Sequence, residues 1–154
     1  MTKKSARTPI SIHWFRQDLR LSDNPALLAA VEAGNLIPVY ILDDENGKEW
    51  KMGGASRWWL HRSLSSLHDS LQGKLLLFQG NAEKIKVTLT AGGIDVISKN
   101  GSLLWEPWEV LKSDGTPYRV FTPFYRKGCL NSISPKKPSK APSEIDFAEA
   151  KDLK

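Results

Sequence analysis

The chain has 154 residues, enough for one domain with a real core. Hydrophobic residues make up 40% and charged residues 25%, the make-up of an ordinary globular protein. No apolar run approaches the ~18 residues that cross a bilayer, and the basic start is not followed by an apolar leader-type stretch, so neither membrane insertion nor export is expected. The formal charge of +5 sits in the tails: residues 1–8 and 126–154 each carry a net of +3, while residues 9–125 carry −1. A duplex-binding surface needs a basic stripe on the body, so that class is set aside. With Cys129 the only cysteine, an intrachain disulfide is impossible, and the chain fits a reducing compartment, the cytoplasm.

In chain order, residues 10–15 (ISIHWF) read as a short buried strand after Pro9. A polar turn follows over 16–23. Asn24 then caps a helix with Pro25 at its first position, Leu27, Leu28 and Val31 on its apolar face and Gly34 as its stop. Residues 37–42 (IPVYIL) are a second strand, running into an acidic loop, Asp43-Asp44-Glu45, and Asn46-Gly47. A second helix starts near Ser56. Leu60, Leu64, Leu67 and Leu71 recur on one face of it, and Gly73 ends it. Residues 75–78 (LLLF) are a third strand. This alternation predicts parallel strands joined by right-handed crossovers, the first half of a doubly wound α/β fold.

The pattern then breaks. Residues 81–90 allow one short helix capped by Asn81, Gly92-Gly93 follow, and 94–97 (IDVI) is a candidate fourth strand. Residues 118–124 (YRVFTPF) read as an extended aromatic segment. From Lys127 onward Pro135, Pro138 and Pro142 lie among Ser and Lys, the composition of an exposed linker, with a short helix starting at Asp146. The divisions expected are a basic tail over 1–9, an α/β domain over 10–126 and a linker over 127–154. The fold class expected is a Rossmann-like parallel sheet flanked by helices, incomplete, with four or five strands.

The first βα turn lacks the close-packed glycines of a dinucleotide site, and no P-loop is present. A ligand at the carboxyl ends of the strands would meet Arg16, Arg20, Asp43 and Asp44 instead. The competing reading is that Arg16, Asp18, Arg20 and Asp23 pair with one another to hold the turn. His13, His61 and His68 lack metal-ligand spacing and are assigned to packing or surface. No nucleophile elbow or paired-carboxylate signal stands out, so no catalytic residue is named. The six tryptophans favour a core or a domain interface, with chromophore stacking as the other use.

Three separated blocks carry a resemblance. Residues 12–28 (IHWFRQDLRLSDNPALL), 55–64 (ASRWWLHRSL) and 100–131 (including NGSLLWEPWEVL and DGTPYRVFTPFYRKGCLN) resemble DNA photolyases and cryptochromes, in the right order. The resemblance takes in about residues 10–145, although Gln17 stands where Arg is common in the family. It implies an amino-terminal α/β domain that holds an antenna chromophore (folate, deazaflavin or flavin) and passes excitation to FAD in a larger helical domain. That helical domain binds damaged DNA and reverses pyrimidine dimers.

On this resemblance Arg16 and Arg57 match positions near the antenna pocket, and Asp43 ends the second strand on the same side. Trp105, Trp108, Tyr118, Phe121 and Phe124 match the segment that leads into the helical domain and are expected at that interface. FAD is not expected on these residues, and DNA would be met only through the helical domain or a partner chain that supplies it. The family also has a strand and a second helix between the helix after strand three and the GIDV-like strand. Here Ile85 runs almost directly into Gly93-Ile94-Asp95-Val96, so about one αβ unit of ~30 residues is missing. Three functional readings follow: a truncated antenna domain of a deoxyribodipyrimidine photolyase, a free-standing chromophore- or nucleotide-binding docking module, or a decayed fragment of a cryptochrome-like photoreceptor.

Overall fold

A computed structural model of the chain describes residues 9–44 and 51–149. The basic start and the end of the acidic loop, Glu45 to Gly47, lie outside these residues.

Strand β1 (Ile10–Phe15) leads through the polar turn to helix α1 (Pro25–Ala33). Asn24 caps α1 with its side-chain oxygen, which accepts the Leu27 N–H at 3.0 Å. Gly34 ends the helix because the chain passes tightly under Pro9: a Cβ at Gly34 would run into the Pro9 carbonyl. That carbonyl also accepts the Asn35 N–H at 2.9 Å, which starts β2 (Asn35–Leu42) alongside β1. Helix α2 (Gly54–Ser70) begins two residues earlier than its first strong signal. It stops where Gln72 and Gly73 turn left-handed (φ 55° and 75°) and the Gly73 N–H closes on the His68 carbonyl at 2.8 Å. Strand β3 (Leu76–Gln79) and helix α3 (Ala82–Ala91) follow.

The three strands form one parallel sheet in the order β1-β2-β3, with Phe15 level with Tyr40 and Tyr40 level with Leu77. The incomplete Rossmann-like α/β fold is thus present. Period-2 alternation sends Phe15, Leu36 and Tyr40 to one face, where they pack with Leu27 of α1 and with Leu67, Leu71 and Leu75. The leucine stripe of α2 therefore buries as its spacing requires, with Leu60 and Leu64 packed at its outer end. On the opposite face Ile37 and Val39 are buried, but Ile10, Ile12, Leu76 and Phe78 are exposed.

Pro38 sits in the middle strand without breaking the ladder to β1. The backbone groups of even-numbered β2 residues point away from β1, as Leu36 does in bonding Asp146 and Ala148. Pro38 falls between that contact and the start of β3 pairing at Val39.

Three expectations need correction. The expected count of four or five strands is not reached among the described residues: the sheet has three, and residues 94–97 form no strand, with Ile94 and Ile97 exposed. An apolar alternation makes a strand only where an edge is within reach. Here the connection from β3 holds one short helix and would have to cross the whole sheet to arrive at β1. The segment 118–124 is not extended throughout. A helical run of changing pitch begins at Phe121, as α (Phe121–Pro123), then π (Phe124–Gly128), then 3-10 (Cys129–Asn131). Pro123 suits the first turn of a helix, and Gly128 lets the run close on Val110 and Tyr118, which a Cβ there would meet at 2.7 and 3.0 Å. Finally, 146–149 is not helical. Phe147 makes a single parallel bridge to Leu36, with Leu36 N–H to Asp146 O at 2.7 Å and Ala148 N–H to Leu36 O at 3.0 Å. Ile145 and Phe147 thereby pack against the core.

Candidate functional site

A parallel sheet collects its loops at the carboxyl ends of its strands, and the site candidates lie there. The turn after β1 is built around Asn24, which is fully buried. While its oxygen caps α1, its amide donates to the Arg20 carbonyl at 3.1 Å and the Asp18 carbonyl at 3.5 Å. Arg20 pairs with Asp23 (3.8 Å) and donates to the carbonyls of Asp23 (2.8 Å) and Gly101 (2.5 Å). Asp18 accepts the Arg16 backbone N–H at 3.1 Å. The charged turn is thus held internally, as the structural reading of these residues expects, though through backbone groups more than through ion pairs.

Beneath the turn, His13 is buried edge-on against Phe15, with centroids 4.3 Å apart. Burial pushes its imidazole down to about 4, and the nearby Asp18 charge offsets this only in part. It packs, and it is neutral at physiological pH.

The three expected antenna-pocket residues stand on three segments of the chain. Arg16 lies over the Trp14 ring, 5.3 Å from its centroid, just past β1. Asp43 follows β2, half-buried. Arg57 stands in the first turn of α2 and makes a two-pronged pair with Asp44, at 2.7 and 3.1 Å, while its Nε donates to the Met52 carbonyl at 3.2 Å. The hydrogen bonds to Asp44, and then its charge, raise the Arg57 guanidinium further above its already high range. Asp44 is the residue that composition alone did not single out from the acidic loop. Counting by twos from Tyr40 and Leu42 finds it, because that parity faces α2.

Of the three, Arg57 lines a groove. A groove of about 360 Å³ runs between α2 and the ends of β2 and β3, walled by Tyr40, Leu42, Leu60, Leu64 and Leu77 with Arg57 at its end. The Tyr40 hydroxyl is pushed up by burial and then by the Asp44 charge, so it stays protonated and can donate a hydrogen bond. An apolar slot with a guanidinium and a phenol suits a flat aromatic ligand with an anionic or carbonyl edge. A second hollow of about 360 Å³ lies on the other flank of α2, between Trp59, Arg62, Ser66 and the Leu19–Leu21 side of the β1 turn. Among the described residues no cluster of His, Cys, Asp and Glu could hold a metal, and no helix is long and apolar enough to cross a membrane.

The aromatic residues expected at a domain interface lie after the sheet. Trp108 and Phe121 are 70% and 74% exposed. Phe121 stacks on Tyr125 (5.9 Å), Tyr118 meets Phe124 edge-on (6.2 Å), and Trp105 donates to the Ile133 carbonyl at 2.8 Å.

The sequence profile of the DNA photolyase family matches this chain over residues 11–91 and again over 81–143. The chain belongs to the DNA photolyase family. It is 39% identical to a deoxyribodipyrimidine photo-lyase of Agrobacterium fabrum, over 92% of this chain and 36% of that protein. It is 34% identical to cryptochrome-1 of Arabidopsis thaliana, over 88% of this chain and 25% of that protein. The crystal structure of a bacterial class III photolyase from Agrobacterium tumefaciens superposes on 99% of this chain and 39% of its own, with a TM-score of 0.77 and 35% identity. The chain therefore spans between a quarter and just over a third of the length of the curated relatives named here.

The family match comes in two segments. These overlap within 81–91, directly after β3. The alignment to the Agrobacterium photo-lyase runs over 175 positions, longer than the 154-residue chain. Since it takes in 92% of those residues, about 142, roughly 33 positions of the relative have no counterpart here. That agrees with one missing αβ unit.

Proposed function

We propose that this chain serves as the light-harvesting domain of a photolyase, taking an antenna chromophore in the groove between α2 and the ends of β2 and β3. The observation that carries the reading is the placement of Arg57 and Tyr40 at an apolar slot, in a domain 35% identical in sequence to a photolyase of matching fold. Arg57 would swing from Asp44 to an anionic or carbonyl edge of the ligand, while Leu60, Leu64 and Leu77 cover its flat faces. Light-driven reversal of pyrimidine dimers, with FAD and damaged DNA, would belong to the helical domain that the family resemblance implies. That domain would reach this one as a continuation of the chain or as a partner. The exposed aromatics Trp108, Phe121 and Tyr125 favour a docking role beside light harvesting, since such side chains gain most from burial at an interface. The chromophore class is read as folate, deazaflavin or flavin.

Titration of the chain with methenyltetrahydrofolate, a deazaflavin and FMN, followed by ligand fluorescence and absorbance, tests the proposal. One of the three should bind with a Kd of about 50 µM or tighter. Arg57→Ala should weaken it at least about tenfold by removing the charged hydrogen bonds. No binding by any of the three, or binding indifferent to both Arg57→Ala and Tyr40→Phe, would remove the groove from consideration.

A further inference from the structure

Strand β1 lies at an edge of the sheet. Odd-numbered β1 positions face β2, as the Pro9 carbonyl does in accepting the Asn35 N–H. Ile10, Ile12 and Trp14 therefore turn their backbone N–H and C=O groups outward, where no described residue pairs with them. In a doubly wound sheet the strand after β3 lies on this side of β1, and the family match passes from its first segment to its second within 81–91, between β3 and where that strand would begin. Sheet edges that face water are normally blunted by a lysine, a proline or a bulge. Strand β1 (ISIHWF) has none of these, and its uncovered face carries Ile10 and Ile12, the latter 61% exposed. Two buried polar atoms on the same strand, His13 Nε2 and Trp14 Nε1, have no partner among the described residues.

We propose that β1 pairs antiparallel with β1 of a second copy of this chain, making a continuous six-stranded sheet about a two-fold axis. The strand is self-complementary in one register. With Ile12 opposite its own copy, Ile10 meets Trp14 on both sides of the axis, and all three are outward-bonding positions. About six backbone hydrogen bonds result, two for each facing pair. On the uncovered face this register brings Ile12 against Ile12 and a tryptophan against an isoleucine twice, pairings that sheets favour. Ser11 and His13 face each other on the α1 side, where the Ser11 hydroxyl, already donating to the Ala30 carbonyl at 2.6 Å, keeps an acceptor for the unpartnered imidazole. No other partner is needed to satisfy the edge, which is why a second copy is the occupant.

Sedimentation velocity of the full chain reads the result. The wild type should shift from 17.3 kDa to twice that mass with a Kd of about 10 µM, as befits a small interface. Ile12→Lys and Ile12→Glu each place like charges on the axis and should weaken the dimer at least about tenfold. An equimolar mixture of the two should recover the dimer, because Lys then faces Glu. Phe78→Lys, on the same face but on the far strand, should dimerise like the wild type. A wild type that stays monomeric at about 200 µM overturns the proposal, as does a dimer untouched by Ile12→Lys or a mixture that remains monomeric.

Discussion

Residues 10–79 and residues 94–149 belong to one family by sequence but hold together in different ways. The first region repeats strand, helix and strand, so the apolar stripe on the helix-covered face finds its partners within one crossover: Phe15, Leu27, Tyr40, Leu67 and Leu71 close on one another. The second region buries Val110 and Cys129 but leaves Val120, Phe121, Leu130 and Ile133 exposed. It is tied on at a few points, namely Arg20 to the Gly101 carbonyl, Asp23 to the Ser139 backbone and Leu36 to Phe147. Similar residues fold firmly where their partners are near in sequence and hang loosely where they are not.

The contrast can be broken or sharpened by mutation. Leu71→Ala, at a fully buried position, should cost about 3–4 kcal/mol and lower Tm by about 10 °C in a thermal melt. Acid should do nearly as much through one residue. The unfolded His13 imidazole takes its proton near 6.5, the folded one not until about 4. Between those values the unfolded state binds more protons, so stability falls as pH is lowered from about 6.5 and levels off below about 4, by up to about 3 kcal/mol. Urea melts at a series of pH values should show that slope, and His13→Gln should flatten it.

Asn24→Ala removes a cap and two bonds that staple the β1 turn, for about 2 kcal/mol, and Asn24→Asp should be no better, because it keeps the cap but turns a buried carboxylate oxygen onto the Arg20 and Asp18 carbonyls. Phe121→Ala should change stability by less than about 0.5 kcal/mol, although the ring is the larger. If Phe121→Ala cost as much as Leu71→Ala, the second region would be as integral to the fold as the first.

The same contrast explains what was legible in the sequence. β1 is the span that ISIHWF delimits, and the α2 leucines bury as their spacing implies, because periodicity reports which face meets a nearby sheet. Residues 94–97 carry a strand's alternation but have no edge within reach, and pairing is a property of the sheet, not the segment. Phe147 finds the sheet from more than 100 positions away, which no local pattern encodes. At the site, Arg57 was legible by resemblance, whereas its pairing with Asp44 and not Asp43 depends on strand parity carried past the end of β2. Asn24 was legible as a cap. Its second task, holding the turn through Arg20 and Asp18, follows only from the turn's path.

Native-state hydrogen exchange tests the account most directly, because it reads the stability of each segment in one experiment. Amides of β2 and of the inner turns of α1 and α2 should exchange only through global unfolding, while those of 94–120 should exchange orders of magnitude faster. Protection over 94–97 equal to that of β2 would mean a fourth strand in the sheet, and would contradict the division of the molecule drawn here.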